Sequence, residues 1–176
     1  MNVAQLCSDL QKRFGPGVLG FSDELIDPWI ELSPEVLVPV CQFLRDEPSL
    51  QFNMLNCITG VDYYHTDPNK AAKSSWQPHV EVVYHLSSLP HRHRLVLKLK
   101  VPRWKDDQAG QLPEVPSVSG IWKTALWHER EVYDLMGIWF HGHPDLRRIL
   151  CPDDWVGHPL RKDYEMPLEY HGIRGR

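Results

Sequence analysis

The stretch HVEVVYHLSS, His79–Ser88, followed after a short break by HRLVLKLKVP at 93–102, decides the fold. In the second run Leu95, Leu97, Leu99 and Val101 recur at every other position, with charged residues between them. A period of two sends alternate side chains to opposite faces of a pleated strand, so one face is apolar and the other polar. The first run alternates in the same way. The break contains Leu89-Pro90, and so short a connection joins antiparallel neighbours. The pair is predicted to be a hairpin of half-buried neighbouring strands with one covered face.

The flanking sequence supplies what covers that face. Toward the N-terminus, Val3, Leu6, Cys7, Leu10 and Phe14 recur at helical spacing until Gly15-Pro16-Gly17, so a helix is expected over 2–14. Two short apolar runs, 18–21 and 29–32, suit a strand pair. Ser33-Pro34 then reads as an N-cap followed by proline in the first turn, and Leu37, Val40, Cys41 and Leu44 carry a second helix to about residue 46. Pro39 is expected to kink that helix or to mark a later start. The segment 52–64 reads as a strand or a helix-to-strand passage, and 66–78 and 103–116 as exposed loops.

From 118 to 136 the pattern is helical again, with Val118, Ile121, Trp122, Ala125, Val132, Tyr133 and Met136 on one stripe and Gly137 placed to close it. Strands followed by helices on one side define an α+β class: a two-layer domain over 1–142, a mixed or antiparallel sheet packed by helices, with 118–136 as its signature helix. Residues 143–176 hold four prolines and six acidic against six basic residues, with almost no periodicity. Such a segment builds no core of its own, yet Leu146, Ile149, Leu150, Trp155, Leu160 and Tyr164 are too apolar for a solvated tail. The expectation is an extended arm lying along its own domain and along a partner.

Composition narrows the function. With 42% hydrophobic and 24% charged residues and a net charge of -4, the chain is an ordinary globular sequence without the basic face that nucleic acid requires. No apolar run approaches the ~20 residues that span a bilayer. The first residues carry no basic segment followed by an apolar one, so a cytosolic location is expected. The cysteines, Cys7, Cys41, Cys57 and Cys151, are scattered without a Cys-x-x-Cys pair, and the first three read as small buried hydrophobes. No phosphate loop, dinucleotide fingerprint or nucleophile elbow is present.

The charged residues of the signature helix pose the sharpest question. Glu129 falls within its apolar stripe, and Glu131 and Asp134 crowd a helix end where the macrodipole disfavours anions. Arg130, four residues before Asp134, is in the weaker order for a pair. Arg147-Arg148 and Arg161-Lys162 in the arm are the natural donors. A structural ion-pair and docking network is therefore expected among Glu129, Arg130, Glu131, Asp134, Arg147, Arg148, Arg161 and Lys162, with Glu129 held by one of the arm arginines. His-x-His pairs at His91/His93 and His141/His143 admit a rival, a free-standing metallohydrolase completed by Asp153 or Asp154, although no third ligand follows at zinc-site spacing. A small regulatory binding module is a third alternative.

The run EREVYDLMGIWFHGHPDLRRILCPDDWVGHPLRKDY at 129–164 resembles the signature of the C subunit, or thirty-kilodalton subunit, of respiratory complex I. LRDEPSLQFNMLNCITGVDYY at 44–64 and EYHGIRG near the end are similar to the same family. The resemblance implies a scaffold subunit in the hydrophilic arm of NADH-quinone oxidoreductase. Such a subunit binds no prosthetic group, and FMN and iron-sulfur clusters reside in partner subunits. It packs chiefly on the quinone-site (D) subunit and a neighbouring cluster-bearing subunit, at the cytoplasmic face of the inner membrane. Equivalent subunits occur in membrane-bound hydrogenases and in complexes with other electron donors.

Overall fold

The structure, a computed structural model, describes residues 2–24 and 26–175. Helix α1 (Val3–Phe14) begins at Asn2, whose side chain accepts from the Gln5 N–H, and buries Val3, Leu6, Cys7 and Leu10. Strands β1 (Val18–Ser22) and β2 (Trp29–Leu32) pair antiparallel. Helix α2 (Pro34–Asp46) follows and does not restart at Pro39: the helix continues through it with Leu37, Val40, Cys41 and Leu44 buried. Strand β3 (Met54–Tyr63) leads through the one-turn helix α3 (Pro68–Ala71) to β4 (His79–Ser88) and β5 (His93–Val101). Val80 to Val101 and Ser88 to His93 mark the ends of an unbroken antiparallel register between β4 and β5, the expected hairpin.

The five strands stand in the order β1-β2-β5-β4-β3, with β2 and β5 parallel and the other pairs antiparallel, so the sheet is mixed. One face carries Val80, Val82, Tyr84, Leu86, Leu95, Leu97 and Leu99, all buried in a single cluster with the apolar sides of the helices. The architecture is a two-layer α+β domain. A bulge between Leu55 and Cys57 interrupts β3, and Cys57 is exposed there, contrary to the buried position expected for it.

Helix α4 (Ala125–Met136) is shorter than the helix expected over 118–136. Residues 118–124 form turns instead, with N–H groups of Ile121 and Trp122 both returning to the Val118 carbonyl. These turns bury Val118 and Trp122 as a helix would, but the Trp122 indole donates to the Phe52 carbonyl and Thr124 to that of Leu55. Helix α4 crosses β3 at Gly60, where a Cβ would lie 2.8 Å from Met136 Cγ and 3.3 Å from Val132 Cγ1. Glycine is what permits that approach.

After α4 comes β7 (Trp139–His141), which pairs in parallel with β6 (Glu114–Pro116) from the loop expected at 103–116. Residues 142–175 are extended and irregular, with a small hairpin of β8 (Glu169–Tyr170) and β9 (Ile173–Arg174) near their end.

Candidate functional site

The last turn of an α-helix leaves carbonyls without intrahelical donors and gathers the negative end of the macrodipole. In α4 these carbonyls are met by the arm. The Asp134 carbonyl receives Arg148 Nη1 at 3.2 Å and His158 Nδ1 at 2.9 Å, and that of Leu135 receives the Leu160 N–H at 2.9 Å. Arg161, 5% exposed, donates to the carbonyls of Met136, Gly137 and Arg103. Two guanidinium groups thus sit at the negative end of the helix. Burial pushes Arg161 down to about 10, assisted by Arg103, and leaves it cationic at neutral pH.

Asp134 fastens the arm from the other direction. Its carboxylate is fully buried, and Oδ2 accepts from three successive backbone N–H groups, Ile149 at 3.0 Å and Leu150 and Cys151 at 2.8 Å each. Arg148 Nη1 donates to Oδ1 at 2.5 Å. Burial alone would raise this carboxyl; the Cys151 N–H, Arg148 and the other two amides outweigh it and hold the group at about 2. Arg130 Nε and Nη2 complete the attachment by donating to the carbonyls of Arg147 and Arg148.

A second fastening joins the arm to β3. Arg103 grips Asp62 bidentately through Nε at 2.8 Å and Nη2 at 2.9 Å, and grips Asp163 of the arm through Nη1 at 3.1 Å and Nη2 at 2.7 Å. Burial works against the cation, but Asp62 and Asp163 together hold Arg103 above its ordinary value. The Lys162 N–H adds a bond to Asp62 Oδ2. Sequence reasoning missed Asp62 and Arg103, although each extends an inward-facing alternation: Ile58, Gly60, Asp62 in one strand and Leu97, Leu99, Val101, Arg103 in the other. A charge at an inward position calls for a partner.

The expected arginine partner of Glu129 is not there. The carboxyl is fully buried and accepts from Ser117 Oγ at 2.6 Å and the Val118 N–H at 2.7 Å. Burial pushes it up to about 7 against these two bonds. The turns at 118–124 bring Ser117 and Val118 back over α4, which places small polar groups and, among the described residues, no cation above the helix face. Glu131 is exposed, Arg147 lies in solvent against Asp145, and the Lys162 side chain is exposed. The network expected from sequence therefore separates into buried members, Glu129, Arg130, Asp134 and Arg161, the half-buried Arg148, and three outward ones.

Three of the four paired histidines have other engagements, and His141 is exposed. His91 Nε2 and His93 Nε2 meet the carbonyls of Pro48 and Leu50 at 2.9 and 3.0 Å, and His143 Nε2 meets that of Leu126 at 3.2 Å. Asp154 accepts from Tyr170 and lies 2.7 Å from His171 Nε2. Among the described residues no three His, Cys, Asp or Glu side chains gather as a metal site would require.

Most of these polar contacts involve the run 129–164, and comparison with known proteins decides what that run signifies. The family described as "Respiratory-chain NADH dehydrogenase, 30 Kd subunit" matches residues 30–170, well over half of the chain. The chain belongs to this family. Among curated relatives of the 30 Kd family, the C subunit of the NADH-quinone oxidoreductase of Chlorobium phaeobacteroides is 40% identical over 167 residues, covering 94% of this chain and 90% of that protein. The protein of the same name from Chloroherpeton thalassium is 39% identical over 94% of this chain, which spans only 62% of that longer relative. A solved chain from the membrane-bound sulfane sulfur reductase, an archaeal respiratory membrane complex, superposes with a TM-score of 0.67 at 22% identity, covering 93% of this chain and 86% of that one. At that identity the likeness establishes the fold.

Gly137, the left-handed residue that closes α4, gives a direct test of this packing. It has φ 64° and ψ 54°, and a Cβ there would fall on the His158 ring. Gly137→Ala is expected to cost roughly 2 kcal/mol from the left-handed backbone and the displaced ring together. A urea midpoint unchanged from wild type would show that His158 does not pack on this turn.

Proposed function

We propose that this chain is a cofactor-free structural subunit of the hydrophilic arm of an NADH-quinone oxidoreductase, respiratory complex I, and that 143–176 is its docking element. The observation that carries the docking reading is the two-sided character of the arm. Its inner side is held by buried polar bonds to α4 and β3, while Leu150, Val156, Leu160, Met166, Leu168 and Ile173 are 56–85% exposed. Apolar side chains presented along a segment whose backbone is already fixed suit burial against another protein.

In this reading electrons pass from NADH through FMN and iron-sulfur clusters of partner subunits to quinone, and this chain contributes none of the carriers. The arm packs on the quinone-site (D) subunit, with a cluster-bearing subunit beside it. Asp134, Arg130, Arg148, Arg161 and the buried Glu129 shape the arm and its base; Glu131, Arg147 and Lys162 face the partners. Among the described residues no helix is long and apolar enough to cross a membrane. Attachment to the cytoplasmic face of the inner membrane is therefore assigned to the complex as a whole. Relatives that are about 40% identical carry the NADH-quinone oxidoreductase name, which favours NADH over other donors.

Two measurements test this. A tagged chain expressed in its native host should copurify from membranes with the other hydrophilic-arm subunits, as identified by mass spectrometry. The purified chain alone should neither oxidise NADH nor reduce quinone. Recovery only as a free monomer, or turnover by the chain free of other subunits, would sink the proposal.

A further inference from the structure

Where β3 ends, the chain forms an open basin of about 430 Å³ between the strand, the α3 loop and the arm. Its floor is aromatic and internally braced. Trp76 meets Tyr63 edge-on at 5.4 Å and lies 5.0 Å from His65, Tyr63 stacks on His79 at 4.4 Å, and the Arg103 guanidinium sits 4.0 Å over Tyr64. Lys70 and Lys162 stand at its rim.

The charges of this basin are unevenly satisfied. Asp62 is neutralised by Arg103, which donates to it twice, and also accepts from the Lys162 N–H, whereas Asp67 caps the Asn69 N–H and keeps its negative charge. Lys12, Lys98, Lys100 and Lys105 each have a carboxylate within 4.0 Å, whereas the ammonium groups of Lys70 and Lys162 have none among the described residues. The basin thus offers two unpaired cations, against the single unpaired carboxylate of Asp67, above an aromatic surface. Open rather than enclosed, it suits side chains inserted from another surface better than a small molecule. Lys162 belongs to the arm, so the basin is continuous with the docking face proposed above.

From this we infer that the Tyr64–Trp76 basin is a second docking point, which receives an acidic segment of a partner subunit. Carboxylates of that segment pair with Lys70 and Lys162, and an adjoining apolar side chain covers the aromatic floor. The inference rests on the reading of the chain as an assembled subunit.

The test uses the intact complex in native membranes, with a benzophenone amino acid replacing the exposed, basin-lining Thr66 in one strain and the exposed arm residue Leu168 in another. Illumination should join position 66 to a partner-subunit peptide that contains Asp or Glu. Lys70→Glu with Lys162→Glu should lower that yield about tenfold while leaving the yield at position 168 unchanged, since reversal turns two attractions into repulsions. Lys70→Arg with Lys162→Arg should restore it. If the reversed variant does not assemble, rising salt applied to the wild-type lysines gives the same reading, because exposed pairs are screened; a yield constant with salt overturns the inference. So does a lipid adduct, a cross-linked peptide without acidic residues, or silence at position 66 while 168 reacts. Silence at both positions overturns the subunit reading as well.

Discussion

Asp134→Ala should destabilise the chain by roughly 3–5 kcal/mol and free the arm before it disturbs the sheet. The substitution removes the acceptor of three successive amides and the carboxylate partner of Arg148. Arg148 keeps the carbonyls of Asp134 and Gly157, so most of the loss falls on the orphaned N–H groups of Ile149, Leu150 and Cys151. Asparagine can keep its carbonyl oxygen for those donors but then turns its NH2 toward Arg148, donor against donor, and Asp134→Asn should recover only part of the stability. Hydrogen exchange locates the effect: amides 149–151 should lose protection in the alanine variant while those of β4 and β5 keep theirs. Continued protection at 149–151 would show that the arm is held by something else.

The same carboxylate predicts an acid limit. Its folded pKa, about 2, lies below the ordinary value of 3.8, so its contribution is complete above about pH 4 and is lost as pH falls through 2. The shift corresponds to roughly 2–3 kcal/mol. Assembly should follow stability here, because the exposed apolar side chains of the arm are positioned by the polar bonds on its inner side. In the intact complex, Asp134→Ala should reduce the amount assembled more than the activity of what does assemble.

The central hairpin was legible because alternation states both the strand and its buried face, and the short Leu89-Pro90 break leaves one way to join the strands. The arm was legible as an element but not in its bonds. Periodicity reveals that Glu129 points inward; it does not reveal what lies opposite. Ser117 and Val118 reach it only because 118–124 turns back on itself, and that turn is fixed by bonds from Trp122 and Thr124 to carbonyls before and at the start of β3, some seventy residues away in sequence. A stripe at 100° intervals is satisfied by such turns as well as by a helix, since both bury Val118 and Trp122. Arg161 misled for a related reason. A buried guanidinium suggests a carboxylate, but the carbonyls at the end of a helix serve it as well, and they carry no mark in the sequence. Asp62 and Arg103 are the opposite case: their inward register was readable, and it implied that each needed a partner of opposite charge.

Wild-type stability should depend on pH between about 4.5 and 7, and Glu129→Gln should remove that dependence. The carboxyl has no cation against it among the described residues, and burial raises its pKa from 4.5 to about 7 despite the bonds from Ser117 and Val118. The groups that feel its charge from the facing elements are Cys41 of α2 and Tyr84 of β4, both fully buried. Burial pushes each of them further above its ordinary range, with the Glu129 charge adding to the effect, so neither ionises in this window. For an acid whose folded pKa is raised, the native state binds the extra proton. Its stability is full below about 4.5 and falls as pH rises through 7, by about 3 kcal/mol in all. Glutamine keeps an acceptor for the Val118 N–H and can donate to Ser117 Oγ, which already lies 2.7 Å from Ser119 Oγ. The variant should therefore match wild type near pH 4.5 and exceed it at pH 8 by up to about 3 kcal/mol, less whatever the amide loses in geometry. Urea unfolding of both proteins at the two pH values, with infrared detection of a protonated carboxyl band that persists toward pH 7 and is absent from the variant, measures this directly. Equal pH profiles for the two proteins would mean that Glu129 is ionised throughout, and a cation or bound water that compensates it would then have to be sought beside Tyr84.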